Sequence, residues 1–268
     1  MILGASAICL VFVLVSCGGS SSKVPEYVVL EHPQVDLTGF TKDEEGFIVL
    51  FDGVSMDGWR GYGREDIPAR WIIDDEAIKF TGTGEGEGQR SDGGDLIFGH
   101  KFKNFELSVD WKCSLGANSG ILYLGQEIKG KSLYLSAPES QVLDNENHGD
   151  AKLGKDGNRQ SSSLYDMIPA KPQNANPYDE WNNTTIIVNK GKIIHKQNGI
   201  SVVEYQPWTP QWTALLKDSK FSPDRDFPDG LAFELLNNLG GVNREGFIGL
   251  QDHGNDVWFR NIRIKILD

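Results

Sequence analysis

The sequence predicts an all-β fold: two antiparallel sheets packed as a jelly-roll sandwich, with one short helix. Three observations carry this. Apolar residues recur with period 2 in many short runs, Gly, Asn and Asp punctuate those runs, and only 209–218 reads as helical. Strand-rich chains of this kind close their cores by packing one sheet on another.

The elements follow in chain order. Alternating runs lie at 47–51, 71–80, 105–111, 121–124, 184–188 and 257–266. In 105–111 every odd residue (Phe105, Leu107, Val109, Trp111) is apolar and every even one (Glu106, Ser108, Asp110) is polar, the pattern of a strand with one buried face. Asn189-Lys190-Gly191 and Gln197-Asn198-Gly199 separate further runs. Asn and Gly tolerate positive φ, so these are tight turns between neighbouring strands. No repeat of fixed period occurs, which argues against a propeller.

Composition narrows the function. The 268 residues carry 38 acidic against 26 basic side chains, a net charge of -12, and no Lys/Arg-rich run. Such a chain repels phosphate backbones, so nucleic acid is excluded as a partner. Hydrophobic residues make up 39%, enough for a core and too many for a disordered chain. Three cysteines are too few for a disulfide scaffold.

Residues 2–16 are uncharged and mostly apolar or small, ending Leu14-Val15-Ser16-Cys17-Gly18. This resembles a bacterial lipoprotein signal, with 1–16 as signal peptide and Cys17 as the lipidated residue. The run has the length of a signal core and is short for a membrane span. Gly/Ser-rich residues follow, so 17–39 reads as lipidated terminus and tether and 40–268 as the folded domain. The expected location is the cell envelope, held to the membrane by lipid alone. Cys9 leaves with the signal and Cys113 lies reduced in the core.

Several segments are chemically richer than a sandwich core requires. Glu139, Gln141 and Leu143 project to one strand face, consecutive members about 6–7 Å apart. A bulge or strand end could bring Asp144 round to join them. Such groups on a curved sheet make a sugar-binding groove, especially with aromatic rings to stack on pyranose faces. Trp181 and Asn182 open a strand, with core packing and a turn hydrogen bond as the competing roles. His148 follows the candidate strand in a polar loop, placed to act as base or metal ligand. His253 ends a strand before Gly254, either as a site residue or as a turn histidine. His195 is expected on the exposed side of a hairpin. Arg260 is expected to share a face with Ile262 and Ile264, binding a sugar hydroxyl or pairing with a buried carboxylate such as Asp52.

Taken together, Leu50-Phe51-Asp52-Gly53 with Gly58-Trp59, Ala117-Asn118-Ser119-Gly120-Ile121, Glu139-Ser140-Gln141-Val142-Leu143-Asp144-Asn145, Ser163-Leu164-Tyr165-Asp166, Glu180-Trp181-Asn182, Leu250-Gln251-Asp252-His253-Gly254 and Phe259-Arg260-Asn261-Ile262 resemble the 3-keto-disaccharide hydrolase domain family. The resemblance covers roughly 47–267. It implies a concanavalin-like jelly roll and an enzyme acting on glycosides already oxidised at C3, in functional coupling to a separate sugar 3-dehydrogenase. A C3 ketone acidifies the C2 hydrogen, so elimination of the C1 substituent and hydration give net cleavage. Under this resemblance Glu139, Asp144 and His148 are the catalytic set, and the same three are the metal ligands if a divalent cation does the electrophilic work. Gln141, Asn118, Tyr123, Trp181, His253 and Arg260 are the substrate contacts. Two other readings stay open: a non-catalytic carbohydrate-binding lipoprotein, and an ordinary glycoside hydrolase. The latter needs two carboxyls about 5–5.5 Å apart for retention, where this strand offers Glu139, Gln141 and Asp144.

Overall fold

A computed structural model describes residues 24–83 and 92–268; Cys17, the signal and the tether's first residues lie outside them. The strands are β1 (Ile48–Val49), β2 (Trp59–Gly61), β3 (Trp71–Asp74), β4 (Ala77–Phe80), β5 (Leu96–Phe98), β6 (Phe105–Cys113), β7 (Asn118–Gly125), β8 (Glu139–Leu143), β9 (Asn182–Asn189), β10 (Lys192–Gln197), β11 (Ile200–Tyr205), β12 (Phe247–Leu250) and β13 (Val257–Ile266). They form two antiparallel sheets. One has eight strands, ordered β11-β10-β9-β6-β13-β4-β3 with β1 also on β13; the other has five, ordered β2-β5-β12-β7-β8. The expected jelly-roll sandwich is what the chain forms.

Local chemistry explains the strand joins. The turns Asp75-Glu76 (φ 50° and 57°), Lys190-Gly191 (48° and 82°) and Asn198-Gly199 (48° and 82°) each hold two residues at positive φ. That backbone matches the right-handed twist of the strands it connects. In β6 the odd residues Phe105, Leu107, Val109, Trp111 and Cys113 are all buried. Across the sandwich they join a core that includes Phe98, Ile121 and Leu250 from the small sheet. Cys113 is a buried free thiol, and burial pushes it up to about 12.

Two features depart from the sequence reading. The expected helix is α1 (Pro210–Asp218), capped by Thr209, but a second follows, α2 (Leu231–Asn237). It buries Leu231, Ala232, Leu235 and Leu236 and spans only seven residues, too few for a 3.6-residue period to stand out. The other departure lies in β13, where the register shifts between Arg260 and Arg263 and Asn261 takes φ 50°. This bulge keeps Phe259, Ile262 and Ile264 all in the core and turns Arg260 outward. The alternation that would have put Arg260 beside Ile262 is broken by one residue.

The outer face of the five-stranded sheet is not a bare surface. Ile97, Leu122, Leu133, Ala137 and Phe247 form a second apolar cluster there, with Tyr62 and Tyr134 packed on it. Beside that cluster the same face carries polar side chains under cover.

Candidate active site

Register places the site. Gly120 lies opposite Gln141 and Leu122 opposite Glu139, so Glu139 and Gln141 share the outer face of the small sheet with Leu122. The missing side chain at Gly120 leaves room for Glu139: a Cβ there would lie 2.5 Å from Glu139 Oε1. Gln251 reaches the same spot, its backbone N–H donating to Gly120 O at 2.9 Å and its side chain hydrogen-bonding Glu139. Asn118 stands next along this face, with its Nδ2 3.5 Å from His253 Nε2.

The far wall is an irregular segment running beside β8. Tyr165 N–H donates to Glu139 O (3.1 Å), Gln141 N–H to Ser163 O (3.2 Å) and Ser162 N–H to Gln141 O (2.7 Å). Leu164 and Tyr165 of this segment are both buried, and the Glu139 charge acts on the Tyr165 hydroxyl. The Tyr165 hydroxyl donates to Asp150 Oδ2 at 2.7 Å, and Arg159 spans Asp150 (2.8 Å) and Asp166 (2.6 Å). Lys220, just beyond α1, sets its ammonium 4.2 Å from the centre of the Tyr165 ring.

The electrostatics follow from this enclosure. Glu139 is 7% exposed, and burial pushes its carboxyl up to about 8. The Lys220 ammonium pulls the other way, Asp150 and Asp95 add to the rise, and the Gln251 hydrogen bond opposes it. Burial in turn lowers the Lys220 ammonium, while the Glu139 carboxylate holds it up. The result is a carboxyl raised toward neutral pH beside a desolvated ammonium, the kind of matched pair that supports acid–base chemistry.

Of the residues singled out from sequence, Glu139, Gln141, Asn118 and His253 come together on this face. Gln141 is fully buried, its Oε1 accepting Val142 N–H at 3.1 Å. Asp144 lies at the strand end, where its carboxylate accepts N–H groups from Gly116, Glu146 and Asn147 and the Asn147 side-chain amide. Against the cost of burial, those donors hold it below the usual carboxylate range. His148 caps a short 3-10 turn, its Nδ1 accepting Asp150 N–H at 3.0 Å.

The remaining expectations are corrected. Among the described residues no three His, Cys, Asp or Glu side chains converge as metal ligands, so Glu139, Asp144 and His148 do not form a metal site. Asp144 has already filled its oxygens with loop donors. Tyr123 faces the interior of the sandwich, fully buried, with its hydroxyl on His195 and Tyr205. His195 is therefore not an exposed hairpin residue: it shares the core face of β10 with Ile193. Trp181 and Arg260 lie on the outer face of the eight-stranded sheet, with the guanidinium 3.8 Å from the Trp181 ring centre. Arg260 lines a cavity of about 610 Å³ there with Asp52, Asp110 and Asn183. It does not pair with Asp52, whose Oδ1 is taken by Val54 and Ser55 N–H. Asn182 supplies turn hydrogen bonds, accepting from Asn176 N–H and the Asn198 amide. Lys220 and Arg159 were not singled out; they sit in polar loops with no period or motif to mark them.

Known proteins share this architecture. Residues 46–265 match the model of the 3-keto-alpha-glucoside-1,2-lyase-like domain. The chain is 59% identical over 248 residues to the 3-keto-disaccharide hydrolase of Bacteroides thetaiotaomicron, covering 89% of this chain and 84% of that protein. A crystal structure of a candidate glycosyl hydrolase from Parabacteroides distasonis superposes with TM-score 0.68 at 27% identity, over 84% of this chain and 95% of that one. A second from the same organism gives 0.54 at 23%, over 78% and 99%, a likeness of fold alone. With a family match spanning nearly all of the sandwich and a relative this similar along most of its length, the chain belongs to the 3-keto-alpha-glucoside-1,2-lyase-like domain family and is a hydrolytic enzyme.

Proposed function

We propose that the protein cleaves 3-keto-glycosides, 3-keto-disaccharides among them, by β-elimination and hydration at the Glu139 face. The observation that carries the reading is the enclosure of the Glu139 carboxyl over Gly120, where burial pushes it up to about 8 against the pull of Lys220. The name of the 59% identical relative supports the substrate class.

The chemistry needs three groups. A base removes the C2 proton, and the electron pair forms an enolate whose oxygen sits on C3. Collapse of the enolate restores the C3 ketone, forms the C1–C2 double bond and breaks the C1–O bond to the leaving group. An acid protonates that departing oxygen. Water then adds at C1 and a proton returns to C2, giving the free 3-keto sugar. Glu139 is the acid, since a carboxyl near 8 is ready to donate at neutral pH. Lys220 offers its ammonium to the C3 oxygen, in a site dry enough for one charge to count. His253 is the base and Asn118 holds a neighbouring hydroxyl. His253 stands on this face beside Asn118, whereas His148 lies past the end of β8, capping the turn that follows. The ketone implies an upstream sugar 3-dehydrogenase, and the N-terminal sequence implies an envelope location through lipid on Cys17.

The test is turnover of matched glucosides, plain and 3-keto. Cleavage of the keto form alone, with a transient unsaturated intermediate absorbing in the ultraviolet, is expected. Cleavage of the plain glucoside would overturn the reading, as would binding without cleavage of either.

A further inference from the structure

The sandwich interior holds a polar chain that the reaction does not touch. Tyr205 OH lies 2.7 Å from Tyr123 OH, which lies 2.6 Å from His195 Nε2, and His195 Nδ1 lies 3.0 Å from Ser162 O. All three rings are buried, His195 with no exposed surface at all. The directions are fixed by chemistry. A carbonyl only accepts, so His195 Nδ1 carries the proton and donates to Ser162 O. Nε2 of the neutral ring must then accept, so Tyr123 donates to it and Tyr205 donates to Tyr123. Burial keeps the imidazole neutral, pushing it down to about 4.

The end of this chain is the wall of the site. Ser162 holds φ 59° and Asp166 φ 60°, left-handed backbone at two non-glycine residues that bracket Ser163, Leu164 and Tyr165. Such conformations persist where surroundings over-determine them. Asp166 is pinned by Arg159 and by Lys220 N–H, which donates to its Oδ2 at 2.6 Å. Ser162 is pinned by His195 through its carbonyl and by Gln141 O through its N–H.

We propose that His195 is a positioning residue: by donating to Ser162 O from inside the core, it holds segment 162–166 against β8 and so sets Tyr165 beside Glu139. His195 belongs to the eight-stranded sheet and the segment flanks the other, so this hydrogen bond ties the site wall to the opposite layer, alongside a 3.4 Å contact between Ser162 Oγ and Thr184 Oγ1 of β9. The inference rests on the reading of the Glu139 face as the active site.

Three variants test it. His195→Asn keeps an N–H near the Nδ1 position, His195→Gln keeps a group near Nε2 and loses the donor to Ser162, and Tyr205→Phe disturbs the same core chain without touching Ser162. Amide exchange at Ser162 and Tyr165 and turnover of a 3-keto glucoside are read on each. His195→Gln is expected to lose about tenfold in protection at both amides and about tenfold in kcat, whereas His195→Asn and Tyr205→Phe keep both within about threefold. Equal losses in Tyr205→Phe and His195→Gln, or none in His195→Gln, would overturn the positioning role. If the parent protein turns over no keto-glycoside, the proposed function fails; the exchange result still decides whether His195 holds the segment.

Discussion

Glu139 lies across Gly120, with Oε1, Cδ and Cγ all within 2.7 Å of where a Cβ on Gly120 would stand. The two residues are on paired strands, and the space that one gives up is the space the other's carboxyl occupies. Gly120→Ala must therefore displace the carboxyl from its seat by Gln251. Activity on a 3-keto glucoside is expected to fall at least about tenfold, with an overpacking cost of about 1–3 kcal/mol. Steady-state kinetics and a denaturant titration check the two parts separately.

Glu139 also gives the protein a signed pH dependence. Its carboxyl is raised to about 8 in the fold, against 4.5 for the ordinary group. The fold thus binds the proton more tightly than the unfolded chain does. Glu139 costs nothing below about 4.5, and its cost grows as pH rises to about 8. Relative to the parent protein, Glu139→Gln is expected to gain stability between pH 5 and pH 8, by up to roughly 1.4 kcal/mol per pH unit. Urea titrations at the two pH values measure it, and an unchanged difference would contradict it.

How far the sequence alone reached can be read from particular residues. Period 2 and the Asn/Gly turns marked most of the eight-stranded sheet, since each rests on local backbone chemistry, whereas of the five-stranded sheet only β7 coincides with an alternating run. Glu139 and Gln141 were placed on one face correctly because strand parity is local as well. Arg260 failed on the same rule, since a single bulged residue at Asn261 inverts parity and leaves no mark in the pattern. His195 failed because two tyrosines from other strands make its burial tolerable, and pairing at that distance is not visible along the chain. Lys220 could not be found: its place beside Glu139 comes from the packing of the segment after α1.

Cys113 is buried, and desolvation holds its thiol up to about 12. The thiolate is the reactive form. Ellman's reagent is expected to label the folded domain negligibly at pH 8 and to label this thiol at once in denaturant. Fast labelling of the native protein would show that the β6 end opens to solvent.

Glu127 is fully buried and accepts both terminal nitrogens of Arg60, at 2.8 and 2.7 Å, and the Gly63 N–H at 2.6 Å. This pair ties β2 to the segment after β7. Removing one partner strands the other charge without water. Glu127→Ala is expected to cost about 3–5 kcal/mol, read by chemical denaturation, while Glu127→Ala with Arg60→Met recovers part of that loss.

Lys220 offers the sharpest test of the site, because its loss moves two readouts for one physical reason. The groups acting on Glu139 are Lys220, Asp150, Asp95 and Gln251, and Lys220 is the cation among them. Its ammonium favours the ionised carboxylate, so without it the Glu139 carboxyl rises above about 8. Glu139 acts as an acid, so activity persists until that group ionises. Lys220→Met is therefore expected to shift the alkaline limb of the kcat/KM profile to higher pH. At the same time kcat should fall by about 100-fold, since the C3 oxygen loses the charge that stabilises its enolate. Lys220→Arg keeps the charge and should hold the limb in place while recovering part of kcat. An alkaline limb left in place while the acid limb moves to higher pH in Lys220→Met would mean that Glu139 works as the base, and the roles of Glu139 and His253 would have to be exchanged.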